Sequence, residues 1–139
     1  HYEIRILLET EALRKACQNM NPQILHTLQE INQEGLKAKE EGNTEAYNLA
    51  NQAFHMAIWE ASGSEKLKSF LSLLWNGLSM NKLVTAQQYA NISYCEHAHI
   101  LETIEKGEYP KACQLMEAHI ARSMNSMLVN LGKEDVKAS

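Results

Sequence analysis

The stretch NLANQAFHMAIWEASG, residues 48–63, decides the fold that we predict for this chain. Its apolar residues recur every three or four positions, which is the period of a helix with one buried face. Asn51 and His55 lie four residues apart, so both side chains project from one face of that helix. The stretch therefore predicts a buried helix that carries an amide and an imidazole inward. The two groups are either hydrogen-bonded core groups or part of a metal site.

The same helical period runs through the rest of the chain, and no segment has the alternation of a half-buried strand. About six helices are predicted: 2–19, 22–41, 44–61, a long helix over 64–88 that bends at Gly77, a fifth from the capping box of Ser93 and Glu96 to Gly107, and a sixth over 108–131. The tail beyond the sixth helix is expected to fray. Short loops make neighbouring helices antiparallel. The predicted fold class is all-α, an antiparallel bundle of about six helices that forms a single domain over 1–139.

Composition and charge exclude several classes of function. The net charge of −4 argues against a chain that grips nucleic acid by itself, because such binding needs clustered cations. No apolar run reaches the roughly 20 residues that cross a bilayer, and no secretory signal is present. The three cysteines, Cys17, Cys95 and Cys113, include no CxxC pair and predict reduced thiols in a cytoplasmic protein. The abrupt opening HYEIR predicts a piece of a longer protein.

Three of the six histidines are predicted to face the interior. His55 lies in the stretch quoted above. His97 shares a face with the apolar residues four and seven positions later, whereas His99 points away from that face; His119 also lies among apolar residues at helical spacing. Imidazole is the commonest metal ligand near neutral pH. Three imidazoles and the amide oxygen of Asn51 would hold a divalent transition ion such as zinc, nickel, manganese or iron.

Four short motifs occur in a fixed order along the chain. They are Arg5-x3-Glu9 within YEIRILLETEALRKA, NxxFHxxIxxASG over 51–63, EHxxILxxIxxG over 96–107 and AxxxMxxHI over 112–120. Together they resemble the ligand-sensing C-terminal domain of GntR-family transcriptional regulators, in the FadR-like (FCD) subfamily. The resemblance covers about residues 2–128.

This resemblance implies an antiparallel helical bundle whose central cavity holds a divalent metal, with zinc or nickel preferred to manganese or iron. The implied ligands are Asn51, His55, His97 and His119, although the family more commonly has Asp at the first of these positions. Arg5 on the first helix would grip a small carboxylate or sugar acid. The resemblance also implies a homodimer and a winged helix-turn-helix DNA-binding domain that precedes this domain and is absent from this chain.

Further candidates come from the residues themselves. Arg5 and Glu9 have the spacing of a surface ion pair, which is the alternative to a ligand-binding arginine. Asn76 and Asn81 are predicted to line the cavity as neutral hydrogen-bond partners, since Asn is unfavourable inside a helix without a reason. Trp75 and Met80 are candidates for a cavity wall. Cys95 and Cys113 fall off the histidine faces and are read as small core or surface residues.

The leading functional hypothesis is an effector-sensing regulatory domain that binds a small organic acid at the metal and thereby modulates DNA binding. One alternative is a small helical metalloenzyme whose metal activates water. The chain lacks the Glu-x-x-His pairs of di-iron bundles and has no His-Asp dipeptide, and only Glu96 is placed as a general base, so the chain is predicted not to be an enzyme. The other alternative is a structural, dimerising bundle with histidines as core groups.

Overall fold

The computed structural model describes the backbone of residues 2–76 and 85–138 and the side chains of residues 3–75 and 85–123. Six helices make up these ranges: α1 Tyr2–Gln18, α2 Pro22–Glu40, α3 Thr44–Ala61, α4 Glu65–Asn76, α5 Ala86–Glu105 and α6 Tyr109–Ala138. Within them there is no strand, and the predicted all-α class is confirmed. No helix in the described part is both long enough and apolar enough to cross a bilayer.

Local sequence explains where the early helices start and stop. The Asn21 side chain accepts a hydrogen bond from the Ile24 N–H at 2.8 Å, and Pro22 takes the first helical position, where its missing N–H costs nothing. Asn43 caps α3 in the same way, through the Ala46 N–H at 3.0 Å. Beyond the end of α3, Gly63 adopts a φ of 74°, a left-handed conformation that favours glycine. These boundaries agree with those predicted.

Two predicted boundaries are wrong. The capping box of α5 is formed by Thr85 and Gln88, so the N-cap of this helix lies eight residues before the one predicted at Ser93. Ser93 is fully buried inside α5; because a capping box and one helix face share the spacing of three residues, its spacing to Glu96 misled the prediction. The single helix predicted over 64–88 is therefore not formed.

Two further predictions concern the bend at Gly77 and the end of the sixth helix. The bend predicted at Gly77 falls in residues 77–84, outside the described residues. At the other end of the chain, α6 continues to Ala138, beyond the end predicted near residue 131.

The helix α3 occupies the centre of the bundle, where it packs against α1, α2, α4 and α5. Its buried face consists of Tyr47, Ala50, Asn51, Phe54, His55, Ile58 and Trp59. The helices α1 and α5 both pack against α6. The polar side chains on the buried face of α3 therefore meet side chains from α1, α5 and α6 in the interior.

Candidate metal centre

Three imidazoles from three different helices meet in the interior. His55 of α3, His97 of α5 and His119 of α6 are each no more than 3% exposed, and one ring nitrogen of each lies within 4.8 Å of those of the others. The ring centroids are 4.8 to 5.5 Å apart. His99, two residues from His97, is exposed. The structure thus brings together the three histidines whose spacing predicted an inward face.

The closest approach in the cluster is between the Nε2 atoms of His97 and His119, at 3.2 Å. Two nitrogen ligands of a tetrahedral zinc ion, each about 2.0–2.1 Å from the metal, lie about 3.3 Å apart. The observed separation therefore suits a shared ion, and a ring nitrogen of His55 lies within 4.8 Å of the other two. The donor chemistry also suits zinc or nickel, because imidazole is a favoured ligand of both.

A buried carboxylate on α1 orients His55. Glu9 is completely buried, and its Oε2 lies 3.2 Å from His55 Nδ1, while its Oε1 accepts a hydrogen bond from Trp59 Nε1 at 3.2 Å. Burial alone would raise the pKa of Glu9, but the facing His55, Arg5 and Trp59 groups bring that pKa below its ordinary value. An ionised carboxylate only accepts hydrogen bonds, so the His55 nitrogen that faces it, Nδ1, is the donor. Metal-binding histidines are commonly held in this way.

Glu96 orients His119 by the same device. Its Oε1 lies 2.9 Å from His119 Nδ1, and Arg122 donates to both carboxylate oxygens, through Nε to Oε2 at 2.7 Å and through Nη2 to Oε1 at 2.6 Å. Burial raises the pKa of Glu96, but these hydrogen bonds outweigh it and the pKa lies below its ordinary value. Glu96 is the carboxylate considered above as a general base, and here it is engaged by a histidine and an arginine.

Burial favours the neutral form of His97 and His119, which is the form that binds metals. It lowers the pKa of His97 well below the ordinary value, and the neighbouring His119 and His55 act in the same direction. Burial also lowers the pKa of His119, against the opposing influence of Glu96. A metal ion therefore displaces few protons from His97 and His119 at neutral pH.

The metal-free chain is expected to lose stability as the pH falls below about 6.5. Because His97 and His119 have lowered pKa values in the folded state, the unfolded chain binds more protons once the pH drops below the ordinary histidine pKa. Each such group contributes a slope of up to about 1.4 kcal/mol per pH unit. Urea unfolding of chelator-treated protein at several pH values measures this slope. A midpoint that rises on acidification from pH 7 would contradict it.

Asn51 lies one helical turn before His55 and is 6% exposed. Its Nδ2 donates to the Tyr89 hydroxyl at 3.3 Å, and its Oδ1 accepts from the Ser93 hydroxyl at 3.4 Å. Asn51 and His97 also line one small pocket between α2, α3 and α5. The volume that the centre of a water molecule can occupy in this pocket is about 10 Å³. The Asn51 amide therefore lies beside the histidine cluster and has hydrogen-bond partners of its own. Its role as a metal ligand stays a prediction.

Arg5 is buried rather than on the surface. It is 6% exposed, its Nε lies 3.8 Å from Glu9 Oε1, and its guanidinium stacks over the Trp75 ring at 5.2 Å. Burial lowers the pKa of Arg5, with Glu9 opposing. The alternative of an exposed ion pair between Arg5 and Glu9 is therefore wrong. Trp75 also contacts the His55 ring, with centroids 5.2 Å apart, and so forms a wall between the arginine and the histidines.

Other sequence predictions for this site are not tested by the described residues. The structure does not describe the side chain of Asn76. Asn81 and Met80 lie entirely outside the described residues. The sequence reasoning did not foresee Glu9 and Glu96 as histidine partners, nor Tyr89 and Arg122 behind them. Of these four residues, only Glu9 could have been identified from the sequence. It is a carboxylate at the helical spacing of the buried residues Ala12, Leu13 and Ala16.

Comparison with known proteins places this bundle in a family. Residues 1–122 match the FCD domain family, so the chain belongs to that family, as its motifs indicated. It is similar to the HTH-type transcriptional regulator McbR of Escherichia coli K12, with 29% identity over 126 residues that cover 85% of this chain and 57% of McbR. The chain thus spans little more than half the length of this relative. The relative is a transcriptional regulator by name, in agreement with the prediction that this chain is not an enzyme.

A solved structure shows the same architecture. The structure titled E. coli McbR/YncC has a TM-score of 0.81 to this chain at 19% identity, over 93% of this chain and 63% of the other. At this identity the likeness concerns the fold, and it supports the all-α arrangement described above.

Proposed function

We propose that this chain is the effector-sensing domain of a GntR-type transcriptional regulator, and that it binds a small organic acid at a divalent transition metal. The proposed ligands are His55, His97 and His119, with Asn51 as the oxygen donor, and zinc or nickel is the preferred ion. The observation that carries the proposal is the buried cluster of three imidazoles, since two of them are oriented by carboxylates toward a common point.

The charges around the site favour an anionic effector. The proposed ligands, three imidazoles and an amide, carry no negative charge, so they do not offset the positive charge of the metal ion. The carboxylates that face the site are already balanced, because Glu9 lies beside Arg5 and Glu96 is bound by Arg122. A carboxylate or sugar acid in the open coordination positions would supply the missing negative charge.

Arg5 is suited to bind the other end of such an effector. Its guanidinium is buried over the Trp75 ring, 5.2 Å from the ring centroid, and among the described residues it makes no hydrogen bond, only the 3.8 Å ion pair to Glu9. A guanidinium in this state keeps N–H donors for a carboxylate, which it can bind through two parallel hydrogen bonds. A guanidinium that is already positioned by its neighbours loses less conformational entropy when a ligand binds.

The structure also suggests how binding would be transmitted. Glu9 contacts both Arg5 and His55, so a ligand that engages the arginine also acts on the carboxylate that orients a metal ligand. Binding of an organic acid would favour one arrangement of the helices over the others. In the whole protein, we propose that this shift alters operator binding by a separate DNA-binding domain, within a homodimer.

Calorimetric titration of the zinc-loaded or nickel-loaded chain with succinate, citrate and gluconate tests the proposal. At least one of these acids is expected to bind, and chelation of the metal is expected to abolish binding. Arg5→Lys keeps the charge beside Glu9 but loses the two-pronged geometry, so it is expected to weaken binding at least about tenfold.

Arg14→Lys is the matched control, because Arg14 lies on the same helix with an exposed ion pair to Glu11. It is expected to bind the acids as the wild type does. The proposal fails if no carboxylate binds the metal-loaded chain, or if Arg5→Lys and Arg14→Lys bind equally well.

A further inference from the structure

The small pocket between α2, α3 and α5 connects partly exposed side chains with the histidine cluster. Its lining includes three half-buried residues, Ile31, Asn32 and Tyr94. It also includes buried residues, among them Asn51 and His97. The pocket therefore leads from the outer part of the bundle to one of the three imidazoles.

The size and the lining of this pocket suit a water molecule. The volume of about 10 Å³ for the centre of a water molecule is about that of one water-sized sphere, which is the least that a buried water needs. A buried water also needs roughly two to four polar partners. The lining offers the amides of Asn32 and Asn51 and the imidazole of His97. The pocket is thus both large enough and polar enough for water.

His97 differs from the other two histidines in its surroundings. Nδ1 of His55 faces Glu9 at 3.2 Å, and Nδ1 of His119 faces Glu96 at 2.9 Å. Among the residues that the structure describes, His97 has a hydrogen-bond contact through Nε2 and none through Nδ1. The pocket is lined by His97 and by neither of the other two histidines. The imidazole without a carboxylate partner is therefore the one that borders the pocket.

We propose that this pocket is the passage through which water, and with it a divalent transition metal ion, reaches the histidine cluster. His97 is then the first imidazole that an incoming ion meets, and the amide oxygens of Asn32 and Asn51 can replace waters that the ion loses on the way. The entry of the metal rests on the proposed function, whereas the water passage does not. Metal uptake and release then depend on the width of the pocket and need no unfolding of the bundle.

Two substitutions on α2 change the width of the pocket in opposite directions. Gly35 is buried and lines the pocket, and a Cβ at this position would lie 3.6 Å from the Tyr47 ring and 3.7 Å from Ala50, which are ordinary van der Waals contacts. Gly35→Ala therefore fits without strain and occupies the water-sized space. Asn32→Ala removes a side chain from the outer part of the pocket. Both substitutions favour the helix, because glycine and asparagine are poorer helix formers than alanine.

Stopped-flow measurement of zinc uptake by the metal-free chain, and of zinc release to a chelator, tests the inference. Gly35→Ala is expected to slow both rates at least about tenfold, because a close-packed interior leaves no other space beside an added methyl group. Asn32→Ala is expected to speed up both rates, and both variants are expected to keep the equilibrium affinity of the wild type. Gln33→Ala is the matched control, since Gln33 is the exposed neighbour of Asn32, and it is expected to keep the wild-type rates.

Release through opening of the bundle would give a different pattern, because two substitutions that favour α2 would both slow it. The inference is overturned if Gly35→Ala and Asn32→Ala change the rates of zinc-binding chains in the same direction. It is also overturned if neither of these variants differs from Gln33→Ala.

A metal-free measurement separates this inference from the proposed function. In the chelator-treated chain, NMR is expected to show transfer of magnetisation from water to the ring protons of His97, and this transfer is expected to be weaker in Gly35→Ala. If the wild type shows this pattern but binds no zinc, the proposed metal site fails and the water passage stands. Absence of the transfer in the wild type overturns the passage.

Discussion

The His97→Ala variant is expected to be purified without a transition metal, whereas the wild-type chain is expected to retain one. His97 lies between the other two imidazoles: its Nε2 is 3.2 Å from that of His119, and its ring centroid is 5.0 Å from that of His55. Loss of this ring leaves two imidazoles, and we expect metal affinity to fall by more than the roughly 100-fold that loss of an outer hydrogen-bond partner of a ligand can cost. Mass spectrometric metal analysis after loading with zinc or nickel and desalting measures the retained equivalents.

The control for this variant is His99→Ala, since His99 is exposed on the same helix two residues away and should be dispensable. His97→Ala also removes the ring that stacks on Phe54 at 4.3 Å, so His97→Gln, which keeps more of the volume, separates metal loss from a packing defect. About one equivalent of metal is expected in the wild type and in His99→Ala. Full metal retention by folded His97→Ala, or no metal in the wild type, would contradict the proposed site.

The Glu9→Gln variant is expected to lose both stability and metal affinity. Removing the charge leaves the buried Arg5 without its counter-ion, and breaking a buried pair costs about 3–5 kcal/mol. The amide also binds His55 Nδ1 less firmly than a carboxylate does, so the ring is less well oriented and metal affinity is expected to fall by about 10–100-fold. Urea unfolding with chelator gives the first effect. The added stability on metal loading gives the second, because a ligand bound to the folded state stabilises it by mass action.

Glu11→Gln is the matched control for Glu9→Gln. Glu11 lies two residues further along α1, where it forms an exposed ion pair with Arg14, so its replacement is expected to change stability by no more than about 1 kcal/mol. The role assigned to Glu9 is refuted if the two variants unfold at the same urea concentration. Its link to the metal is refuted if metal loading stabilises Glu9→Gln as much as it stabilises the wild type.

The sequence predicted the helices and the inward direction of the site residues, because both depend on local periodicity. The spacing of apolar residues around His97 and His119 correctly predicted their buried faces. Periodicity alone does not say that the two helices meet, and convergence became an expectation only through the family resemblance. The start of α5 was mistaken because a Ser and a Glu three residues apart look the same at a helix end and inside a helix.

The histidine partners were missed for a different physical reason. Glu9 contacts His55 across 46 residues of sequence, and Arg122 reaches Glu96 across 26. Such contacts depend on which helices are neighbours and on their relative rotation, neither of which is encoded by spacing within one helix. Arg5 shows the same limit, since its sequence neighbours allowed either a surface pair or a buried one.

The three histidines of the cluster come from three different helices, and this has a consequence for the half-life of the protein in the cell. No short segment of the chain contains His55, His97 and His119 together, so the unfolded chain and its proteolytic fragments would hold the proposed ion far more weakly than the native bundle would. Under the proposed metal binding, transition-metal supply therefore sets how often the chain opens to proteases. Starvation for the metal would shorten the half-life of the protein, and its abundance would report on metal status as well as on its effector.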